Sequence, residues 1–148
     1  MSEPQEIIPV GKNDLVGTVA HLFAEGYRLV QIGCSTLESA YEINYSFDKD
    51  YRFKNLRISV APDEEVPSVS MIYPNAFLYE NEIHDLFGLV VKDIAIDYRG
   101  SLYRTAIKTP FSMEHVKVPE PPKPKTDAQP QQAAKRAPQP EPPEGQKE

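Results

Sequence analysis

This chain of 148 residues has one cysteine and no glycine-rich motif, although many cofactor-binding sites are built from one or the other. Its single cysteine, Cys34, excludes an internal disulfide and any all-cysteine iron–sulfur or zinc site within the chain. The seven glycines are scattered, and none of them forms the GxGxxG or GxxxxGKS/T pattern that cradles phosphates. Nucleotide binding by this chain therefore has little support.

Positive charge and long apolar runs are also scarce. The net charge of -6, without a cluster of Lys and Arg, argues against a nucleic-acid partner. No apolar run approaches the ~20 residues that a membrane-spanning helix needs. The first six residues are acidic and contain no apolar stretch of the kind found in a signal peptide. We therefore expect a cytosolic protein that is soluble or peripheral to a membrane.

The composition changes abruptly after Val116. Residues 117–148 contain 9 of the 15 prolines and no aromatic residue. Such a segment cannot bury enough apolar area to offset the entropy lost on ordering, so we predict a disordered tail with polyproline II character. The sequence thus divides into a folded domain, 1–116, and a Pro-rich tail, 117–148. The tail is either a solubilising extension or a docking arm for another protein.

The periodicity of the first 73 residues predicts an α+β fold. Residues 1–10 are expected to be an acidic lead-in, before the first predicted element. The strands should form an antiparallel meander, because the loops between them are too short for crossover helices. In the last strand, Tyr51 and Phe53 fall on odd positions, whereas Leu56, Ile58 and Val60 fall on even ones. A bulge near Lys54 and Asn55 would let both groups face the same side of the sheet. The predicted elements are a helix between Asp14 and Gly26, strands over 28–34, 41–47 and 51–60, and an extended segment over 66–73.

The stretch over residues 74–104 has the most informative pattern. Pro74 and Asn75 are typical of a helix start and Gly88 of a helix end, which leaves room for about three turns. Apolar residues on this helix fall on one stripe, at Ala76, Tyr79, Ile83, Leu86 and Phe87. Glu80 lies inside that stripe, where a carboxylate is costly unless it is paired. The sequence offers Arg99 and Arg104 downstream as its partners, or an arginine of another protein.

The same helix contains a cluster that could serve catalysis or a metal, namely Glu80, Glu82, His84 and Asp85. Glu80 and His84 are four residues apart and share a face, as metal ligands often do. A mononuclear site needs three or four ligands, however, and His21 and His115 lack ligand spacing to this pair. A small metal enzyme using Glu82, His84 and Asp85 is therefore an alternative from another class. A free-standing binding module, recruiting its partner through the Pro-rich tail, is a third hypothesis.

Two segments resemble the signature of the complex I 30 kDa subunit family, which is roughly PS followed by A-N-W-x-E-R-E-x-x-D-L/M-F/Y-G-I/L. The family then has an H/K-x-x-L-x-R element. Asn81 departs from the family's usual Arg, and this chain has no tryptophan where the family commonly has one. The matching residues are Val66-Pro67-Ser68-Val69, Pro74-Asn75-Ala76, Tyr79-Glu80-Asn81-Glu82-Ile83-His84-Asp85-Leu86-Phe87-Gly88-Leu89 and Tyr98-Arg99-Gly100-Ser101-Leu102-Tyr103-Arg104.

The resemblance implies a non-catalytic, cofactor-free accessory subunit of an ion-pumping oxidoreductase at the cytoplasmic face of the membrane. It would pack on a NiFe-hydrogenase-like large subunit and an iron–sulfur small subunit, which would hold the NiFe centre and the iron–sulfur clusters. The departures favour a ferredoxin-linked, energy-converting NiFe hydrogenase, and the alternative is respiratory NADH:quinone oxidoreductase. The residues expected at the subunit interface are Glu80, Glu82, His84, Asp85, Phe87, Arg99 and Arg104.

Overall fold

A four-stranded sheet with two helices forms the frame of the protein in a computed structural model that describes residues 5–117. The elements are β1 (Glu6–Pro9), a 3₁₀ turn (Lys12–Asp14), α1 (Leu15–Ala24), β2 (Arg28–Thr36), β3 (Tyr41–Lys49), β4 (Arg52–Val60), β5 (Glu65–Pro67), α2 (Ala76–Phe87) and β6 (Val90–Lys92). The strand order in the main sheet is β1-β4-β3-β2, and β5 and β6 form a separate parallel pair.

The α+β class and the antiparallel meander of β2, β3 and β4 are confirmed. The sequence predicts no strand within the acidic lead-in of residues 1–10, yet Glu6–Pro9 form one that pairs in parallel with β4. The sheet is therefore mixed. Four residues are too few to show a clear alternation, and only the exposed hydrogen-bonding edge of β4 brings this segment into the sheet.

Two predictions about the strands are wrong. The register between β3 and β4 runs without interruption from Tyr41 opposite Val60 to Lys49 opposite Arg52, so β4 has no bulge. Phe53 simply faces solvent, and the irregularity lies in β2 instead, between Leu29 and Gln31. The segment over 66–73 is extended only to Pro67. It then turns, because the backbone N–H groups of Ile72 and Tyr73 donate to the carbonyl of Val69.

The core lies on one face of the meander and is covered by the two helices. α1 buries Leu15, Val19 and Leu22, whereas Val16 and Phe23, which the 3.6-residue period also places on the apolar face, are exposed. α2 ends at Gly88, which adopts the left-handed conformation (φ 80°) expected of a helix-terminating glycine. Predictions about residues 118–148, the Pro-rich tail included, lie outside the described residues. Within residues 5–117, no helix is both long and apolar enough to cross a bilayer.

Candidate subunit interface

Helix α2 lies between the sheet and the C-terminal segment, a name used here for residues 93–117. On the sheet side the hydroxyl of Tyr79 donates to the carbonyl of Val30 over 3.2 Å, and Ala76 and Ile83 are buried. The C-terminal segment has no helix or strand and runs along the other side of α2. Turns of the segment make a few hydrogen bonds of their own, and side chains of α2, together with Thr36, Tyr41 and Ser70, hold it against the rest of the domain.

Glu80 is buried, with 1% of its surface exposed, and its partners are not arginines. Its Oε1 accepts the N–H of Val69 at 2.7 Å and its Oε2 accepts the hydroxyl of Ser68 at 2.6 Å. A chain of bonds continues outward, since Ser70 donates to Ser68 and accepts the N–H of Ala95 at 2.8 Å. Burial raises the pKa of the Glu80 carboxyl, and these hydrogen bonds oppose the rise.

The predicted ion pair of Glu80 with Arg99 or Arg104 is therefore wrong. Neither arginine lies within ion-pair distance of any carboxylate in residues 5–117. The turn formed by Ser68 to Ser70 comes close enough to satisfy Glu80, because the extended segment ends at Pro67. In this conformation a partner protein has no access to the Glu80 carboxylate either.

Asn81 is a structural residue that the motif alone did not identify. It is fully buried and makes three hydrogen bonds, of which two reach the C-terminal segment. Its amide nitrogen donates to the carbonyl of Ile96 at 2.8 Å, and its Oδ1 accepts the N–H of Tyr98 at 2.8 Å. The sequence feature that could have identified Asn81 is its difference from the arginine that the family usually has at this position.

Glu82 and Asp85 both bind Tyr103 of the C-terminal segment. The hydroxyl of Tyr103 donates to Glu82 Oε2 and its N–H donates to Asp85 Oδ2, each over 2.9 Å. The bond to Glu82 raises the pKa of the Tyr103 phenol. These two predicted site residues therefore meet the same neighbour and position the segment next to α2.

His84 and Phe87 complete the C-terminal end of α2. The Nδ1 atom of His84 lies 3.0 Å from the carbonyl oxygen of Leu89. Phe87 is half-buried, with its ring centroid 6.2 Å from that of Tyr41 and 5.6 Å from that of Phe111. Both residues thus hold the chain around the helix end, and the ring of Phe111 remains partly exposed.

The remaining predicted site residues, Arg99 and Arg104, lie on the surface of the C-terminal segment. Arg99 adopts a left-handed conformation (φ 53°) beside Gly100, and its N–H donates to Asp97 Oδ1 at 2.7 Å. Their guanidinium groups are exposed to solvent and open to an external partner. The structure thus brings the acidic residues of α2 together with the segment, but not with these arginines.

The C-terminal segment exposes five large apolar side chains. A cleft of about 380 Å³ between Leu78, Leu102 and Tyr103 adds to this surface. Isolated exposed apolar residues are normal, but a run of them on one irregular segment is typical of a protein-binding surface. The exposed residues of this apolar surface are Ile96, Tyr98, Tyr103, Ile107 and Phe111.

Metal ligation and thiol chemistry have little support in the part of the chain that the structure describes. There, no group of three or more His, Cys, Asp and Glu side chains lies close enough to hold a metal ion. Burial raises the pKa of the Cys34 thiol to about 12, which disfavours the nucleophilic thiolate. Cys34 is half-buried against the core, where a thiol packs as a small apolar side chain.

Comparison with known proteins gives matches of three kinds. Residues 8–117 match the family model described as "Respiratory-chain NADH dehydrogenase, 30 Kd subunit". The C/D subunit of NADH-quinone oxidoreductase from Psychrobacter arcticus is 43% identical over 56 residues, covering 36% of this chain and 10% of that protein. The C subunit of NADH-quinone oxidoreductase from Bartonella bacilliformis is 33% identical over 55 residues, covering 36% of this chain and 27% of that protein.

Among solved structures, a chain of the membrane-bound sulfane sulfur reductase, an archaeal respiratory membrane complex, has a similar fold. Its TM-score is 0.59 at 19% identity, and the match covers 68% of this chain and 64% of that one. At this identity the likeness concerns the fold alone. The matched segments also span only 10% to 27% of these two curated relatives.

Proposed function

The chain belongs to the family of the respiratory-chain NADH dehydrogenase 30 Kd subunit, and from this premise we propose that it is a structural subunit of a membrane-associated, ion-pumping oxidoreductase. The family match confirms the resemblance seen in residues 66–104. In our proposal the chain holds no cofactor and binds the redox subunits in the peripheral arm at the cytoplasmic membrane surface.

The apolar surface of the C-terminal segment is the observation that carries this proposal. Its side chains are exposed although Asn81, Asp85 and the helix end anchor the backbone beneath them. A segment held in this way is ordered before a partner arrives, so that association loses less conformational entropy. Exposed Arg99 and Arg104 would add charge-assisted bonds to carboxylates of the partner at the rim.

The acidic residues of α2 then have two different roles. Glu80 shapes the subunit from within, through Ser68 and Val69, instead of meeting the partner. Glu82, His84, Asp85 and Phe87 lie at the junction of α2 with the C-terminal segment, where a partner could reach them. The interface we propose is therefore the C-terminal end of α2 together with that segment.

Two complexes are candidates for the assembly. The curated relatives are named as NADH-quinone oxidoreductase subunits, and one of them joins C and D in a single chain, which supports a D-type large subunit as partner. Asn81 and the lack of tryptophan support the energy-converting NiFe hydrogenase instead. In either version the partners would hold the metal chemistry, iron–sulfur clusters in both and the NiFe centre in the hydrogenase.

Recovery of the tagged chain from its native membranes under mild detergent tests the proposal. A NiFe large subunit with an iron–sulfur subunit would assign the hydrogenase, and quinone-reductase subunits would assign the respiratory complex. Recovery of the chain alone would contradict the proposal. Stoichiometric metal in that lone chain, lost on His84→Ala, would instead favour the metal enzyme.

Removal of residues 117–148 tests the third hypothesis in the same experiment. The residues named in the proposed interface all precede residue 117, so we expect the shortened chain to recover the same subunits. Loss of the subunits on shortening would favour a module that binds through its tail.

A further inference from the structure

Asp85 lies in an energetically unfavourable place. Its carboxylate belongs to the last turn of α2, where the helix dipole is negative, and only 9% of the residue is exposed. One oxygen accepts the N–H of Tyr103, but Oδ1 is buried and has no hydrogen-bond partner. No Lys or Arg nitrogen in residues 5–117 lies within ion-pair distance of it. A buried polar atom of this kind calls for a missing donor.

The second acceptor at this place is His84 Nε2. The carbonyl of Leu89 can only accept, so it takes the proton of His84 Nδ1 and leaves Nε2 as an acceptor in the neutral ring. Gly100 brings the two acceptors together. A Cβ atom at Gly100 would lie 3.8 Å from Asp85 Oδ1 and 3.8 Å from His84 Nε2, with no closer atom. Because Gly100 has no side chain, Asp85 Oδ1 and His84 Nε2 both face the small space beside its Cα atom.

This space adjoins a cleft of about 550 Å³ between the end of α2 and the C-terminal segment. Ser112, which lines the cleft, is also buried and its hydroxyl has no partner. Glu114 adds a second carboxylate to the lining. Lys108 is the cation on the wall, but it is exposed and makes no ion pair with a described residue. Hydroxyl groups of the lining can donate as well as accept, but neither they nor Lys108 meets Asp85 Oδ1, which stays without a donor inside a wall that Glu114 makes more negative.

We propose that this cleft receives an arginine side chain of the partner subunit. A guanidinium group carries several N–H donors in one plane and can serve Asp85 Oδ1 and His84 Nε2 together. Charge complementarity singles out this occupant, because the acceptors include a buried carboxylate at the negative end of a helix. The inference rests on the proposed function, since the arginine belongs to a subunit of that complex.

A small-molecule titration tests the cleft without the complex. The isolated full chain is titrated with N-acetyl-arginine methylamide up to about 50 mM, because one ion pair binds no tighter than the millimolar range. N-acetyl-citrulline methylamide, a neutral analogue of similar shape, is the control ligand. We expect amide chemical-shift changes at Gly100 and Tyr103 with the arginine probe alone, and none in Asp85→Asn. Absence of these changes in the unaltered chain would overturn the proposal.

The competing occupant is Lys108 of the same chain. If its ammonium fills the cleft, Lys108→Met and Asp85→Asn should each lower the melting temperature of the isolated chain. The proposal expects the melting temperature to stay the same or to rise in Asp85→Asn, because a buried unpaired charge is removed. A lowered melting temperature in both variants would assign the cleft to Lys108 and contradict the proposal.

A third test measures how strongly variants of the chain associate with the partner subunits. We expect Asp85→Asn to weaken association by about thirtyfold or more, as loss of a desolvated charge pair does. Asp50→Asn, which makes the same charge change in the turn after β3, should leave association unchanged. Equal association of the two variants would contradict the proposal. If the probe binds but the unaltered chain is recovered alone, the receptor site stands and the proposed function fails.

Discussion

The meander and the C-terminal segment of this protein are stabilised by different means. In the meander of β2, β3 and β4, buried residues alternate with partly exposed ones along β3, and ladders of backbone bonds hold the strands together. The C-terminal segment has no such ladder and exposes most of its large apolar side chains. Single bonds hold it in place, several of them from α2 and others from Thr36, Tyr41 and Ser70. The difference indicates that the meander is stable through its own burial, whereas the segment is shaped for contact with another molecule.

The largest expected effect on stability is in the meander. Phe47 is fully buried in β3, with its ring centroid 5.6 Å from that of Tyr73. Phe47→Ala should lower the free energy of unfolding by about 3–5 kcal/mol, because a cavity remains in a packed core. Urea denaturation of the isolated chain measures this loss. A loss below about 1 kcal/mol would mean that the meander is not the stable part of the molecule.

Glu80→Gln comes next, because Glu80 connects α2 with the turn after β5. The amide would present a donor to Ser68, which already donates to the carboxylate, so the free energy of unfolding should fall by about 1–3 kcal/mol. Glu82→Gln, a matched change nearer the surface of the same helix, should have an effect within about 0.5 kcal/mol. If the two variants lost the same free energy of unfolding, the hydrogen bonds of Glu80 would not contribute to stability as we expect.

The pH dependence of stability is a further test of Glu80. Burial raises the pKa of its carboxyl above the ordinary value of 4.5, so the folded chain binds this proton more tightly than the unfolded chain does. The contribution of Glu80 therefore lowers the free energy of unfolding as the pH rises above about 4.5. Glu80→Gln should remove that part of the slope in urea denaturation. Identical slopes in both proteins would contradict the raised pKa.

Asn81→Ala should destabilise the C-terminal segment without destabilising the meander, and its effect on the free energy of unfolding should be smaller than the effects of Phe47→Ala and Glu80→Gln. It removes the bonds to Ile96 and Tyr98, so opening of the C-terminal segment should become easier by about 1 kcal/mol. Hydrogen exchange should be faster at the amide of Tyr98 and unchanged in β3. Faster exchange across the whole sheet would show that the segment and the meander unfold together.

The smallest effect on stability is expected from the exposed apolar surface. Ile107 is 51% exposed, so Ile107→Ser should change the free energy of unfolding by no more than about 0.5 kcal/mol. Recovery of the partner subunits from membranes should nevertheless fall. The control is Tyr51→Ser in the turn after β3, where a side chain that is 95% exposed should not matter to recovery. Unchanged recovery in Ile107→Ser would remove this residue from the interface.

Several features of the fold could be predicted because their signals are local. The period of α1, the alternation in β3, and the start and end of α2 depend on residues within a few positions of one another. The signature over residues 66–104 likewise indicates the family through residue types and short spacings alone. Two features could not be predicted in this way. The short strand β1 depends on pairing with the distant strand β4, and the turn at residues 68–73 depends on the distant carboxylate of Glu80.

The sequence by itself determined that Glu80 lies on a buried stripe and must be paired. Only the tertiary structure decided that Ser68 and Val69 are its partners, while Arg99 and Arg104 remain at the surface. It likewise left Asp85 Oδ1 without a donor beside His84 and Gly100. The physical reason is range: burial follows from the periodicity of one helix, whereas a hydrogen-bond partner depends on which atoms of remote segments arrive within about 3 Å.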